Sequence, residues 1–262
     1  MKRQVKKYEL TDETNEQGLF RIKALRDFGG VKEGDLGGFI ESEDNLSHKN
    51  NAWVYGNAQV YGNARVFGNT RVYDNALVHG NALISDNARV SGDAQVHDNA
   101  RVSGNAWVFD NAWVFGNALV SDNAQVSDNA QVCGSARVSG NARVSGNARV
   151  FDNARVSGNA WVFDNAWVFG NAQVCGSARV FGSARVFGNA LISGIMRSDG
   201  YAFIAVPCSD GLVRVIAGCR YFTFEEAYDH WNKTRKGTLL GDETMIILNM
   251  MNEMVKLKGY SG

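Results

Sequence analysis

From Asn51 to Gly194 the chain runs through 24 consecutive hexads of the form N-A-x-V-x-[G/D], and no insertion interrupts them. The fourth position is valine except at Ile84 and Ile192, and the second is alanine except at Thr70. Asparagine opens nearly every hexad, with Asp93, Ser135, Ser177 and Ser183 as variants. In a strand, residues two apart share a face, so the Ala and Val of A-x-V point one way and the residue between them points the other. The [G/D]-N pair that follows is turn chemistry, because Gly, Asp and Asn tolerate positive φ at little cost. A short strand and a turn every six residues must wind round an axis. Three strands per circuit give a coil of eighteen residues, each strand pairing in parallel with its counterpart one coil away. The predicted fold is an all-β solenoid, a left-handed parallel β-helix of about eight triangular coils over residues 51–194. At about 4.8 Å per coil the rod is roughly 38 Å long.

Taking every third hexad sorts the outward residues onto three walls. The phrase RVSGNAWVFDNAWVFGNA occurs at Arg101–Ala118 and again, unchanged, at Arg155–Ala172. The offset is three whole coils, so both copies present their rings on the same two walls. Wall one carries Trp53, Trp107 and Trp161, with Phe109 and Phe163 two residues after the last two. Wall two carries Trp113 and Trp167, with Phe115 and Phe169. Wall three is mostly Arg, Leu and Ser. Repeat duplication accounts for the identity of the two phrases, but not for aromatic residues at outward positions. A rod with such walls exposes more apolar surface than soluble monomers usually tolerate, and aromatic residues with Arg are what interfaces favour. The expectation is that Trp53, Trp107, Phe109, Trp113, Phe115, Trp161, Phe163, Trp167 and Phe169 form an interface, chiefly with other copies of the chain. The alternative is that the rings only pack on one another as cross-strand ladders.

Residues 1–50 read as a small β-rich N-terminal cap, with KKYEL and LFRIKAL as strands before the glycine-rich VKEGDLGGFIE. Residues 195–262 change composition and read as an α+β capping or assembly domain. YAFIAVPC and LVRVIAGCRYF suggest two strands joined through Ser209, Asp210 and Gly211. Thr223 and Glu226 stand at capping-box spacing for a helix over TFEEAYDHW. A last helix, about 243–256, would follow Asp242 as N-cap, and its apolar residues exceed one stripe. Caps at both ends are needed, since open strand edges would otherwise polymerise end to end.

Net charge is zero, with 27 basic and 27 acidic residues. The hexads carry Arg at strand centres and Asp at corners, so charge is interleaved, and no nucleic-acid partner is expected. No long apolar run or signal peptide is present, and four cysteines lack metal-ligand spacing, so a cytoplasmic setting without membrane contact is expected. Cys208 and Cys219 could face each other across the C-terminal hairpin. No GxxxxGK[ST] phosphate loop occurs. The segment TRKGTLLGDET, Thr234 to Thr244, is a charged loop ahead of a helix, where an anion could bind, although a solvated connection is the plainer reading.

The stretch DLGGFIESEDNLSHKNNAWVYGNAQVYG with its NARV-type hexads resembles the bacterial YdcK-like hexapeptide-repeat proteins, many of them prophage-encoded. AGCRYFTFEEAYDHW and GTLLGDETMIILNMM are similar to the tails of phage-encoded members. The resemblance implies a left-handed β-helix and, by family label, an acyltransferase. Hexapeptide acyltransferases use a histidine base near a subunit boundary and hold acyl-CoA between neighbouring helices. General-base chemistry needs a group of near-neutral pKa within reach of the acceptor. The histidines here are His48, His79, His97 and His230. His79 and His97, one coil apart on wall two, are the alternative catalytic pair; a metal would need a third ligand, and none lies in register. The expected function is a non-enzymatic, prophage-associated scaffold that self-associates and binds a host or phage protein, without cofactor. The runner-up is an acyl-CoA-dependent acyltransferase using His79 or His97.

Overall fold

A computed structural model describes residues 6–188, 190–193, 195–207, 212–218 and 220–257. Each hexad contributes one strand of two or three residues, from Trp53–Val54 to Leu191–Ser193, twenty-four in all. They stack as three parallel walls of eight, and every pairing joins residues eighteen apart, such as Trp107 with Gln125 and Val108 with Val126. Backbone N–H groups of one coil donate to carbonyls of the next, as from Trp107 to Ala124 at 2.9 Å and from Phe109 to Val126 at 3.0 Å. The Ala and Val of each described hexad fill the bore, fully buried along the array. β-Branched valine suits this pleated interior, and alanine beside each corner leaves room for the triangle to close.

The corners show why the sixth letter is Gly or Asp. Asp74, Asp86, Asp98, Asp110, Asp122, Asp128, Asp152 and Asp164 all have φ near +60°. All but one carry a second bond of one kind, the carboxylate accepting the N–H of the corner glycine one coil on, as from Gly140 to Asp122 at 2.9 Å. The exception is Asp110, whose partner is Asp128 N–H at 3.4 Å. The first letter stacks as well. Asn51, Asn69, Asn87, Asn105, Asn123, Asn141 and Asn159 form one ladder in which each side-chain amide donates to the next at 3.0–3.2 Å.

Strands β1 (Tyr8–Thr14), β2 (Phe20–Ala24) and β3 (Leu36–Ile40) extend wall two to eleven strands. β3 is the GGFI of the glycine-rich segment. It runs parallel to the first wall-two strand of the array, Ile40 opposite Val60, while Leu46 bridges Val66. Ile40 and Leu46 thus occupy two sides of a coil that precedes the hexads. The third side is closed by Tyr8, whose hydroxyl donates to the Leu46 carbonyl at 2.7 Å, and by the buried Lys7, whose Nζ donates to the Ala52 carbonyl. Trp53 therefore does not stand on an open wall. It is 1% exposed, packed edge-on against Phe28 and Tyr8 at 5.3 and 6.0 Å, and so it leaves the expected interface.

At the other end, β4 (Ile195–Met196), β5 (Ala202–Pro207), β6 (Val213–Ala217) and β7 (Arg220–Thr223) form an antiparallel sheet. The expected second strand is split in two, because Gly218 at φ +61° turns the chain between β6 and β7. Ile204, Val206 and Ile216 on one face of this sheet join the solenoid core and close its end. Phe203, Val213, Val215 and Ala217 on the other face pack under helices α1 (Phe224–Arg235) and α2 (Leu239–Leu257). Thr223 caps α1 with its predicted box, its hydroxyl accepting Glu226 N–H and the Glu226 carboxylate accepting Thr223 N–H. α2 begins one turn earlier than expected. Thr238, not Asp242, takes the capping role by accepting the Gly241 N–H at 3.0 Å, so most of the supposed loop from Thr234 to Thr244 is helix. Cys208 and Cys219 lie outside the described residues.

Candidate functional site

The outer walls hold the sequence-predicted residues in stacked columns. On wall two, Tyr61, His79, His97 and Phe115 follow one another at ring-centroid distances of 4.9, 4.9 and 5.1 Å, their planes within 12°. The half-buried Cys133 interrupts the rings, its thiol held above its ordinary pKa by burial and then by Asp152. Stacking resumes through Phe151, Phe169 and Phe187 at 4.9 and 5.5 Å. The coil repeat of about 4.8 Å suits face-to-face rings in register, so the backbone spacing itself builds the column.

His79 and His97 are thus brought together as expected, but as members of this stack. Burial, and then His97, lower the His79 pKa below its ordinary value. His97 Nδ1 lies 3.3 Å from the Asp98 carboxylate. Rings cover both faces of each imidazole, leaving only the edges for chemistry. His48 belongs to the N-terminal cap, stacked on Tyr8 at 4.3 Å and accepting the Lys7 N–H. Among the described residues no three His, Cys, Asp or Glu side chains converge in a way that would hold a metal ion.

The duplicated tryptophans lie back along wall one in matching poses. Trp107 donates from Nε1 to Ser91 Oγ and Trp161 to Ser145 Oγ, each at 3.1 Å. Their rings sit 4.4 and 4.6 Å from Phe109 and Phe163. A serine one coil earlier leaves the space the indole fills. On wall two, Trp167 lies between the guanidinium groups of Arg149 and Arg185 at 5.2 and 4.7 Å. Trp113 lacks such partners and is 40% exposed. The walls therefore satisfy much of their apolar surface internally, as a ladder does.

The larger exposed apolar surface lies on α2. Leu239, Ile246, Met250, Met254 and Leu257 follow at intervals of seven, four, four and three residues. At about 100° per residue they span roughly 80° of arc. The opposite side carries Thr244, Ile247, Leu248, Met251 and Val255, which are buried on the sheet and α1. Leu239 is 73% exposed, Ile246 66% and Leu257 86%. The excess of apolar residues was visible in the sequence; which of them face outward depends on the packing of α2 over β5 and α1.

The sequence pattern of the YdcK beta solenoid repeat matches the chain at residues 58–72, 82–98, 94–110, 124–140, 130–146, 136–150, 142–158, 148–164 and 172–188. The matched stretches, all within the hexads, are similar to that repeat. The YdcK repeat matches lie within the three walls described above and assign them no chemistry. No curated protein matches the sequence. No helix among the described residues is long and apolar enough to cross a membrane.

Proposed function

We propose that the chain is a non-enzymatic β-solenoid scaffold that self-associates through its C-terminal domain, with a second copy covering the free stripe of α2. The observation that carries this reading is the stripe itself. Four of its five residues, Leu239, Ile246, Met250 and Leu257, are spaced seven, four and seven, a pattern that reads the same from either end, while Met254 lies outside that symmetry. Two such helices laid antiparallel about a two-fold axis place Leu239 against Leu257 and Ile246 against Met250. That self-complementarity is what an isologous contact requires. Burial of exposed apolar side chains contributes roughly 1.5–3 kcal/mol each, set against an association cost of about 4–15 kcal/mol. The rod then holds the assembled ends a fixed distance from the N-terminal cap. The walls, with Trp107, Phe109, Trp113, Phe115, Trp161, Phe163, Trp167 and Phe169, offer secondary contacts to a protein partner.

Light scattering tests the reading. The 28.6-kDa chain should run at twice that mass at about 10 μM, a concentration of the order a complex of about −8 kcal/mol needs. Ile246→Asp with Met250→Asp should return the single-chain mass while leaving the melting temperature nearly unchanged. A parent chain that stays single, or a double variant that still pairs, refutes it. Acyl-CoA should not move the melting temperature; a saturable rise would favour an acyltransferase instead.

A further inference from the structure

On the far side of the C-terminal sheet, a pocket of about 260 Å³ opens between the Arg197–Tyr201 turn, the start of β7 and the last turn of α1. Its charge is unusual for a chain with no net charge. Arg197 is accounted for: it is buried, forks onto both Asp199 oxygens at 3.0 and 2.7 Å and donates its remaining terminal nitrogen to Thr244 at 2.9 Å. This pairing holds the Asp199 carboxyl down at about 2, so it stays ionised and cancels Arg197. Arg220 and Arg235 also line the pocket, and neither meets a carboxylate among the described residues. His230 also lines the pocket, its ring stacked on Phe222 at 5.1 Å and edge-on to Trp231 at 5.1 Å. Thr234 commits its hydroxyl proton to the His230 carbonyl, so the charged donors left for a ligand are the guanidinium groups, beside the His230 imidazole and the Trp231 indole N–H.

We propose that this pocket binds a doubly charged phosphate group, free or borne on a small phosphomonoester. Two unpaired guanidiniums match two negative charges, and their planar forks suit phosphate oxygens. The imidazole, clamped between aromatic rings, supplies a third donor. The volume lies below the range of about 300–1,000 Å³ that takes a drug-sized ligand, so the pocket takes a group rather than a nucleotide. An anion bound here would sit at the end of α1, on side chains, and not at the start of α2, where the sequence offered an anion site as the lesser alternative to a solvated connection. The carbonyls of that helix end oppose an anion, which the two arginines outweigh.

Titration calorimetry on the full chain decides the matter, with inorganic phosphate, O-phosphoserine and acetate as probes. Phosphate should bind saturably and at least tenfold more tightly than acetate. Arg220→Ala and Arg235→Ala should each weaken it by roughly ten- to hundredfold, the size of one charge-assisted contact. Arg235→Lys should retain part of the affinity. O-phosphoserine binding as well as phosphate identifies a phosphomonoester as ligand, and tenfold weaker binding identifies the free anion. Phosphate no better than acetate, or a double arginine variant that binds like the parent, overturns the proposal. Light scattering on the same variants keeps the two readings apart: a variant that loses phosphate and keeps the parent's mass reports on this pocket alone.

Discussion

Replacing single corner residues separates backbone strain from coil-to-coil stacking. Gly104 and Gly188 share nearly the same conformation, φ +68° and +65°. A Cβ on Gly104 would meet the backbone nitrogen of Asp122 at 2.8 Å, whereas one on Gly188 meets nothing within 4 Å. Gly188→Ala should therefore cost only the left-handed penalty, about 1 kcal/mol. Gly104→Ala adds a backbone-on-backbone clash inside the stack and should cost upwards of about 3 kcal/mol, as overpacked sites do. At Asp122, with φ +60°, two effects oppose each other. Asp122→Gly loses the bond from Gly140, about 0.5–1.5 kcal/mol, and relieves strain of similar size, so its net effect is near zero. Asp122→Ala loses the bond and keeps the strain the parent already carries, for about 0.5–1.5 kcal/mol. Thermal melts resolve this order, since each kcal/mol shifts a chain of this size by about 2 °C. A Gly104→Ala variant no worse than Gly188→Ala, or an Asp122→Gly variant as unstable as Asp122→Ala, would refute the account of the corners.

Two further outcomes follow from buried groups. Burial, and then Arg26, lower the Lys7 pKa to about 7. The unfolded chain keeps that proton up to the ordinary value of about 10.4, so parent stability should rise from pH 7 towards pH 10. Above that, the buried Tyr8 hydroxyl, whose pKa is raised, adds its own dependence, so the window closes there. Lys7→Met should flatten the rise in urea melts, and an unchanged slope would show that Lys7 is charged in the folded chain. Ser91→Ala and Ser145→Ala should each cost about 1 kcal/mol by leaving an indole N–H without its partner. The sites stand three coils apart, so the double variant should show the sum to within about 0.5 kcal/mol. Unequal single costs would mean that the two copies of the phrase differ in packing.

The walls were legible because each hexad letter has one local job. Val and Ala mark the bore, Asn the ladder, Gly or Asp the corner, and the eighteen-residue period sets every neighbour. The aromatic columns followed from the same register. What escaped depended on segments with no repeat. Trp53 carries the same letter and phase as Trp107, yet the strand Tyr8–Thr14 and Phe28 cover it, a contact that spans some forty residues and has no periodic signature. The first turn of α2 escaped because Asp242 is as good a cap by composition as Thr238; only the position of Gly241 against the end of α1 distinguishes them. The arginine pocket draws residues from β7 and α1 that the sheet and helix packing bring together.

Repetition also decides where the chain can make contacts beyond itself. Inside the array, an outward side chain of an inner coil has neighbours at plus and minus eighteen residues. A ring stacks on a ring, an amide meets an amide, and Arg lies over Trp. Translation along the axis thus consumes within one chain much of the binding capacity that such residues would offer to another. The tail has no such neighbour. On α2 the side chains at Leu239, Ile246 and Leu257 have no following coil to cover them, and Arg220 on β7 and Arg235 on α1 meet no carboxylate among the described residues. Unspent apolar area and unspent charge therefore collect in the C-terminal domain, where the period is broken. A truncation ending the chain after the hexads would remove both, but it would also uncover the bore that Ile204, Val206 and Ile216 close. The point substitutions on α2, β7 and α1 are for that reason the sharper instruments: they remove one capacity at a time and leave the solenoid capped.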